Sequence, residues 1–497
     1  MTGVNPILAG AASDASERER MRNVRPSEWH NPQPAGRYDL LVLGAGTAGL
    51  TAARAAAIRG KKVALVERDL LGGTCLNTGC LPSKTIIRTS RLYGEMRHAA
   101  RYGASVPSNI AVDFPAVMQR VRRIRARVSR LDSASDLTAS GVDVFFGDAV
   151  FSGADALMVQ GVTLRFKRAV IATGARPKTP EIPGLAEAGF VTNESAFDLT
   201  ELPPRLLVIG GGPLGCEMAQ AFCRLGSRTT IVQNWPLFLP REERDAAQVL
   251  SDAFARDGID IRLDTNAVNV RVQGGDKIVD LVQSDYKDSI TVDAILAGTG
   301  RAPNVDGLNL EAAGVAYDSS RGVHVDDFLR TDNPHIYAAG DVCLQHKFND
   351  TAEASARIAV ANALFRGRQR LSKLIIPWCT YTDPEIAHVG LYVRQALEQG
   401  ISVKTFTVPM HDVDRAIADG EEVGFVKIHT RDGTDEILGA TIVGSHAGEM
   451  ISELTLAMVA GIGLGKLATV IRPYPTQSGA IREAADAYER TRVAAAR

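Results

Sequence analysis

Two separate stretches of the chain run from an apolar strand into G-x-G-x-x-G, then through a helix of small residues to a second apolar strand. The first is Tyr38-Asp39-Leu40-Leu41-Val42-Leu43-Gly44-Ala45-Gly46-Thr47-Ala48-Gly49, followed by Lys62-Val63-Ala64-Leu65-Val66 and Glu67. In such a unit the first glycine makes the tight turn, the second lets backbone approach a pyrophosphate, and the third lets the helix close on the strand. A carboxylate ending the second strand, here Glu67, can accept from a ribose hydroxyl. The second stretch is Leu206-Leu207-Val208-Ile209-Gly210-Gly211-Gly212-Pro213-Leu214-Gly215, followed by Thr229-Thr230-Ile231-Val232 with Gln233 in the acid position. Gly44, Gly46 and Gly49 thus define one candidate dinucleotide site, and Gly210, Gly212, Gly215 and Gln233 a second. The chain is expected to be α/β, with two Rossmann-like dinucleotide-binding domains.

Just after the first unit comes Gly72-Gly73-Thr74-Cys75-Leu76-Asn77-Thr78-Gly79-Cys80-Leu81-Pro82-Ser83-Lys84. Two cysteines five positions apart lie near one turn of helix, so bridging them needs a local distortion of helical geometry. A strained, accessible disulfide is easily reduced, which suits catalysis. A metal pair would want closer spacing and two further ligands nearby, and the sequence offers none, so no metal site is expected.

Together these elements resemble the class I pyridine nucleotide-disulfide oxidoreductases, among them glutathione reductase, dihydrolipoyl dehydrogenase and mercuric reductase. The likeness runs from about Tyr38 to Tyr488. Ala169-Val170-Ile171-Ala172-Thr173-Gly174-Ala175 looks like the family's Ala-Thr-Gly strand end. Gly298-Thr299-Gly300-Arg301-Ala302-Pro303-Asn304 looks like the return into the flavin domain. The segment ending in Ala338-Ala339-Gly340-Asp341 is similar to the second flavin motif, and Tyr381-Thr382-Asp383-Pro384-Glu385 resembles the start of the interface domain. The resemblance implies FAD on the first unit, held by Gly44, Gly46, Gly49, Glu67, Gly73, Thr74, Lys84, Thr173, Gly174, Gly300 and Asp341. It implies NAD(P)H on the second, and a C-terminal α+β dimerisation domain. The expected division is 1–36 arm, 37–183 and 297–370 FAD-binding, 184–296 NAD(P)-binding, and 371–497 interface. Within the last, Gly424–Ile428 and Ile437–Val443 are strand candidates and Glu449–Met458 a helix.

The same likeness assigns chemistry. Hydride from NAD(P)H passes through flavin to the Cys75–Cys80 bridge, with Cys80 against the ring and Cys75 exposed for interchange with substrate. A helix start and Lys84 favour thiolate character there. Lys84 is implied to lie near flavin N5 and to pair with Glu217. Relatives carry a His-Pro-Thr box with a glutamate five residues on, supplied by the partner subunit. This chain reads Arg472-Pro473-Tyr474-Pro475-Thr476-Gln477-Ser478-Gly479, so Tyr474 stands in the histidine's place and Gly479 in the glutamate's. A tyrosine titrates near ~10 and is a poor base at neutral pH, though it can donate a proton. Mercuric reductase also has tyrosine here, but the cysteine pair it carries at its C-terminus is absent from Thr491–Arg497. The expected function is therefore a mercuric-reductase-like enzyme passing electrons from NAD(P)H to a small disulfide or thiol-bound metal. The alternatives are a dihydrolipoyl dehydrogenase type, or a diaphorase or quinone reductase in which flavin acts directly. Gln233-Asn234 is neither acid nor arginine, and Arg228, Arg241 and Arg244 lie near in sequence, which favours NADPH slightly over NADH.

A length of 497 residues and a net charge of −1 fit a multidomain enzyme without a nucleic-acid partner. No apolar run reaches membrane-spanning length and the start lacks a signal-like segment. Six cysteines are too few for a secreted disulfide scaffold, so a cytoplasmic protein is expected, and the family resemblance implies a homodimer with shared active sites and a small-molecule acceptor. Cys216, Cys223, Cys343 and Cys379 read as small buried residues. The arm, punctuated by Pro26, Pro32 and Pro34, reads as disordered or draped over the body. The run Gln119–Arg130 has Val117, Val121, Ile124 and Val128 on one helical stripe, so its arginines read as a solvated face.

Overall fold

The computed structural model describes residues 14–107 and 109–495. The chain forms two compact units. Unit one gathers residues 14–89, 105–203 and 294–374, and unit two gathers 90–104, 204–293 and 375–495. Residues 184–203 therefore group with the first unit, and 204–293 group with the C-terminal segment.

The first unit is built on a sheet whose parallel core runs β3 (Val142–Phe146), β2 (Val63–Glu67), β1 (Arg37–Leu43), β4 (Val162–Ile171). Strand Ile336–Ala338 adds parallel to β4, and the hairpin Ala149–Gly153 with Ala156–Val159 extends the far edge. The central strands read as continuous apolar runs because both faces are covered. One face carries Leu40, Val42 and Leu65 against the alanines of α2 (Thr47–Ala57), and the other carries Leu41, Leu43 and Phe166. After β2 come two helices, α3 (Gly73–Asn77) and α4 (Cys80–Arg97).

The arm is folded from residue 14 onward. Helix α1 (Ala15–Val24) is capped by Asp14, whose side chain accepts from the Ser16 amide at 2.7 Å, and it packs on α5 (Phe114–Ser129). Residues 1–13 of the expected arm lie outside the described residues. Beyond α1, Trp29 and Asn31 donate to the carbonyls of Val144 and Phe146, at 3.3 and 2.8 Å, which lays the segment over β3. The solvated-arginine reading of α5 needs correction. Arg123 and Arg127 are exposed, but Arg122 and Arg125 are buried, because α1 presents carboxylates to them. Arg122 pairs with Asp14 at 3.1 Å and Arg125 with Glu17 at 3.4 Å.

In the second unit, β5 (Arg205–Ile209) and β6 (Arg228–Val232) are parallel, with Asp260–Arg262 parallel on the outer side of β6. Helix α6 (Pro213–Leu225) links the pair, and an antiparallel meander spans Asn266–Gln273, Asp276–Gln283 and Tyr286–Val292. The C-terminal segment forms a five-stranded antiparallel sheet in the order Pro377–Thr380, Glu385–Gly390, Ile437–Gly444, Phe425–Arg431, Val403–Pro409. Helices Ala447–Val459 and Gly479–Ala495 pack on it, so both strand candidates and the helix fall where the sequence placed them. No described helix is long and apolar enough to cross a membrane.

Candidate active site

The two nucleotide turns are built alike. Gly46 caps α2 and Gly212 caps α6, both extended, and a Cβ on Gly49 or Gly215 would stand 1.8 or 2.0 Å from the carbonyl oxygen of Gly44 or Gly210. Only hydrogen fits at those two positions, so helix and strand close tightly and leave the helix N-termini open to an anionic group.

Around the first turn the structure gathers most of the expected flavin-side residues. Glu67 accepts from the amides of Ala45 at 2.6 Å and Asp69 at 2.7 Å, and burial pushes its carboxyl up against those two donors. A Cβ on Gly73 would lie 2.6 Å from the Gly46 Cα, so the start of α3 rests directly on the turn. Thr173 donates to the Asn304 carbonyl at 2.7 Å, Gly174 accepts from the Asn304 amide at 3.0 Å, and Gly300 accepts from the Lys178 amide at 2.9 Å. Asp341 lies 3.4 Å from Arg301 Nε, and burial raises its carboxyl against the pull of Arg301 and Lys347. Arg301 also donates to Thr74 Oγ1 at 3.3 Å and to the Ala175 carbonyl, while its buried Nε makes no hydrogen bond. The glycine turn leaves the α2 N-terminus open to an anionic group, and the Arg301 guanidinium lies beside Thr74, so these residues fit FAD. Arg301 belongs to the Gly298–Asn304 motif, whose spacing alone does not single it out.

Cys75 lies within α3 and Cys80 is the first residue of α4, with the chain broken between them at Thr78 and Gly79. The expected single helical turn is thus two helix ends meeting. Both cysteines are free thiols, and they share a hydrogen bond. That bond, with burial, pushes the Cys75 thiol up, while Lys84, one turn along α4 from Cys80, pulls it down. On the single chain Cys80 is an exposed residue and Cys75 a half-buried one.

Among the other four cysteines only Cys216 is fully buried, and burial raises it, Cys223 (to about 11) and Cys343 (to about 12). Among the described residues no group of three or more His, Cys, Asp or Glu is placed to hold a metal ion.

In the second unit Gln233 is buried beside the glycine turn. Its Nε2 donates to the Leu237 carbonyl at 2.7 Å, and its Oε1 lies 2.2 Å from where a Gly211 Cβ would be. Two of the three expected arginines are directed elsewhere. Arg228 starts β6, at the end opposite Gln233, and Arg244 donates to the carbonyls of Phe238, Leu239 and Glu242. Glu217, on α6, is 4% exposed and accepts from the Tyr381 amide at 3.0 Å, so it is no surface acid. Tyr474 is 80% exposed and donates to Asp414 Oδ2 at 2.8 Å, a partner that the sequence reading missed. The bond to that carboxylate raises the phenol further above neutrality.

Residues 38–363 match the pyridine nucleotide-disulphide oxidoreductase family model, and residues 376–485 match that family's dimerisation domain. The chain belongs to this family. As a pyridine nucleotide-disulphide oxidoreductase it is a flavoprotein using FAD and NAD(P)H, with a redox disulfide and a dimerisation domain. It is 35% identical to a mercuric reductase of Streptomyces lividans over 457 residues, 91% of this chain and 96% of the relative. It is 34% identical to a dihydrolipoyl dehydrogenase of Chlorobaculum tepidum over 464 residues, 91% and 97% of the two chains. The HOCl-induced flavoprotein disulfide reductase RclA of Escherichia coli superposes with a TM-score of 0.80 at 28% identity, covering 90% of this oxidoreductase and 99% of RclA.

Proposed function

We propose that this oxidoreductase transfers two electrons from NADPH, through FAD and the Cys75–Cys80 pair, to a small disulfide or a thiol-bound soft metal ion, in the manner of a mercuric reductase. The observation carrying this reading is the shared hydrogen bond between Cys75 and Cys80 at the meeting of two helix ends, with Lys84 one turn on. Thiols within hydrogen-bond reach are close enough to form a disulfide on losing two electrons and two protons. Bound FAD supplies the two-electron link between nicotinamide and that disulfide. Hydride and one solvent proton convert the bridge to two thiols. A substrate disulfide then leaves as two thiols while the Cys75–Cys80 bond re-forms. An Hg(II) held by two thiolates would instead leave as Hg(0), its two thiolate ligands taking up both protons and departing as thiols while the Cys75–Cys80 bond re-forms. Soft thiolates suit such an ion.

In this reading Gly44, Gly46, Gly49, Glu67, Gly73, Thr74, Thr173, Gly174, Gly300 and Asp341 hold FAD, with Arg301 beside its diphosphate. Gly210, Gly212, Gly215 and Gln233 hold the nicotinamide nucleotide, residues 184–296 serve it, and Lys84 pairs with Glu217 near the flavin. The chain acts as a homodimer through residues 371–497, and Tyr474 from one subunit serves the thiols of the other. Tyr474 supports a thiol-bound metal over lipoamide, because a phenol raised by Asp414 donates a proton but does not take one at neutral pH. The NADPH preference rests on Gln233, an amide where NAD enzymes use a carboxylate. A panel of Hg(II) with excess thiol, lipoamide, glutathione disulfide and quinones, run on wild type and Cys75→Ser, tests the reading. Metal or disulfide turnover lost in the variant supports it; quinone turnover unaffected by the variant and exceeding all others favours the diaphorase.

A further inference from the structure

The segment between the two cysteines is held from a part of the chain that lies outside the family match, which begins at residue 38. Asn77 sits two residues after Cys75 and three before Cys80 and is 3% exposed. Its Nδ2 donates to the carbonyls of Leu71 and Gly73, both at 2.9 Å, and so folds the loop onto itself. Its Oδ1 accepts from Nη1 of Arg20, a residue of α1 that is only 6% exposed. Arg20 Nε is fixed in turn by both Glu17 oxygens, at 3.0 and 3.1 Å. The Asn77 carbonyl accepts from Arg125 Nη1 at 3.0 Å, and Arg125 Nη2 reaches Glu17 at 3.4 Å and Asp198 at 3.0 Å. Backbone contacts add to this grip: the Leu71 amide donates to the Val24 carbonyl at 3.1 Å, and Asn193 donates to the Thr78 carbonyl at 3.0 Å.

Two buried guanidinium groups balanced by two carboxylates are an expensive way to fill space, since desolvation offsets most of their attraction. A hydrophobic contact between α1 and α5 would stabilise the arm as well. What charge adds is direction, because a fixed fork of donors holds one acceptor in one place. Here the acceptor is the residue that links the two thiols. Opening and closing a disulfide moves each sulfur while the peptide between them must keep its register, so a loop that drifts loses the alignment that interchange requires.

We propose that Arg20 is a positioning residue for the Cys75–Cys80 pair, acting through Asn77, and that α1 is therefore part of the redox apparatus of this enzyme. This rests on the redox reading of the two cysteines given above. The test uses the full-length, FAD-loaded protein. Arg20→Met should slow disulfide-dependent turnover about tenfold and shift the alkylation rate of Cys75 by iodoacetamide at least about threefold. Alkylation of Cys223 and flavin reduction by NADPH should stay within about twofold of wild type. Arg20→Lys, which can keep one donor on Asn77, should recover part of both losses. If Arg20→Met does not retain FAD, Arg20→Lys and Glu17→Gln carry the same comparison, each expected to fall between wild type and a Cys75→Ser control. A lowered melting temperature with unchanged turnover and unchanged Cys75 alkylation would show α1 to be scaffolding only and would overturn the proposal. Full turnover in Cys75→Ser would instead remove the redox reading itself. Inactivity of Cys75→Ser beside a wild-type-like Arg20→Met would remove only the role of Arg20.

Discussion

In the proposed function, two single side chains, Tyr474 and Gln233, set what the chemistry accepts. Tyr474 donates to Asp414, so Asp414→Asn removes the carboxylate that raises the phenol, and its ionisation should move down toward the ordinary value near ~10. The basic limb of the reoxidation rate should move to lower pH by the same step, as read from stopped-flow traces between neutral and alkaline pH. Tyr474→Phe should lose that limb and slow reoxidation about tenfold, leaving flavin reduction by NADPH unchanged. Gln233→Glu places a carboxylate beside the Gly211 backbone, where it repels a 2′-phosphate and accepts from a free ribose hydroxyl. The ratio of kcat/KM for NADPH over NADH should fall by about tenfold or more, a difference of about 1.4 kcal/mol.

Among the elements, the C-terminal sheet carries the clearest acid sensitivity. His388, on strand Glu385–Gly390, is fully buried, stacked on Tyr392 with ring centroids 3.6 Å apart and bonded to Thr441 at 2.8 Å and to the Gly390 carbonyl at 3.1 Å. Burial lowers it from 6.5 to about 3, so the fold holds it neutral. Between those two values the unfolded chain binds a proton that the native chain refuses, so stability falls as pH drops from 6.5 toward 3. The slope is about 1.4 kcal/mol per pH unit from this group. Glu243, held down to about 2 by His429 and Lys427 despite its burial, adds a separate loss as pH falls from 4.5. Urea unfolding from pH 6.5 to 4.5, run on wild type and His388→Gln, separates the first: the difference in stability between the two should shrink as pH falls, and a constant difference would assign the limb elsewhere. The elements themselves were legible because periodicity and glycine spacing are local: the strands before Gly44 and Gly210, and the helix at Glu449, fall where the pattern puts them. Arg125 and Asp414 were not legible. Their partners lie 48 to 108 residues away for Arg125 and 60 for Asp414, and no spacing rule carries a pairing over such distances. The i, i+4 stripe on α5 was read correctly on its apolar side, and the opposite side was misread because α1 covers it.

At the scale of the whole molecule, the dimerisation domain presents Ile471 and Tyr474 to solvent on the single chain, with Leu456 and Val459 exposed on a neighbouring helix. In the proposed homodimer each subunit's Tyr474 serves the other's thiols, an isologous arrangement. Mixing inactive Cys75→Ser subunits with slowed Tyr474→Phe subunits should then raise activity to about a quarter of wild type, since half the dimers are hybrids with one intact site each. No recovery in verified hybrids, or a fully active monomer, would refute shared sites. The pairing of α1 with α5 sets a different kind of limit, on recombination between relatives. A chimaera that kept residues 38–363 of this chain but took its leading segment from another protein would retain the buried Arg122 and Arg125 and lose Asp14 and Glu17. Arg125 would keep Asp198, but Arg122 would lose its carboxylate, and stranding a buried charge costs about 3–5 kcal/mol, so such hybrids should be viable only when the donor brings a carboxylate at the Asp14 position. Inheritance of the two segments is thereby tied together, although more than 80 residues of chain lie between them.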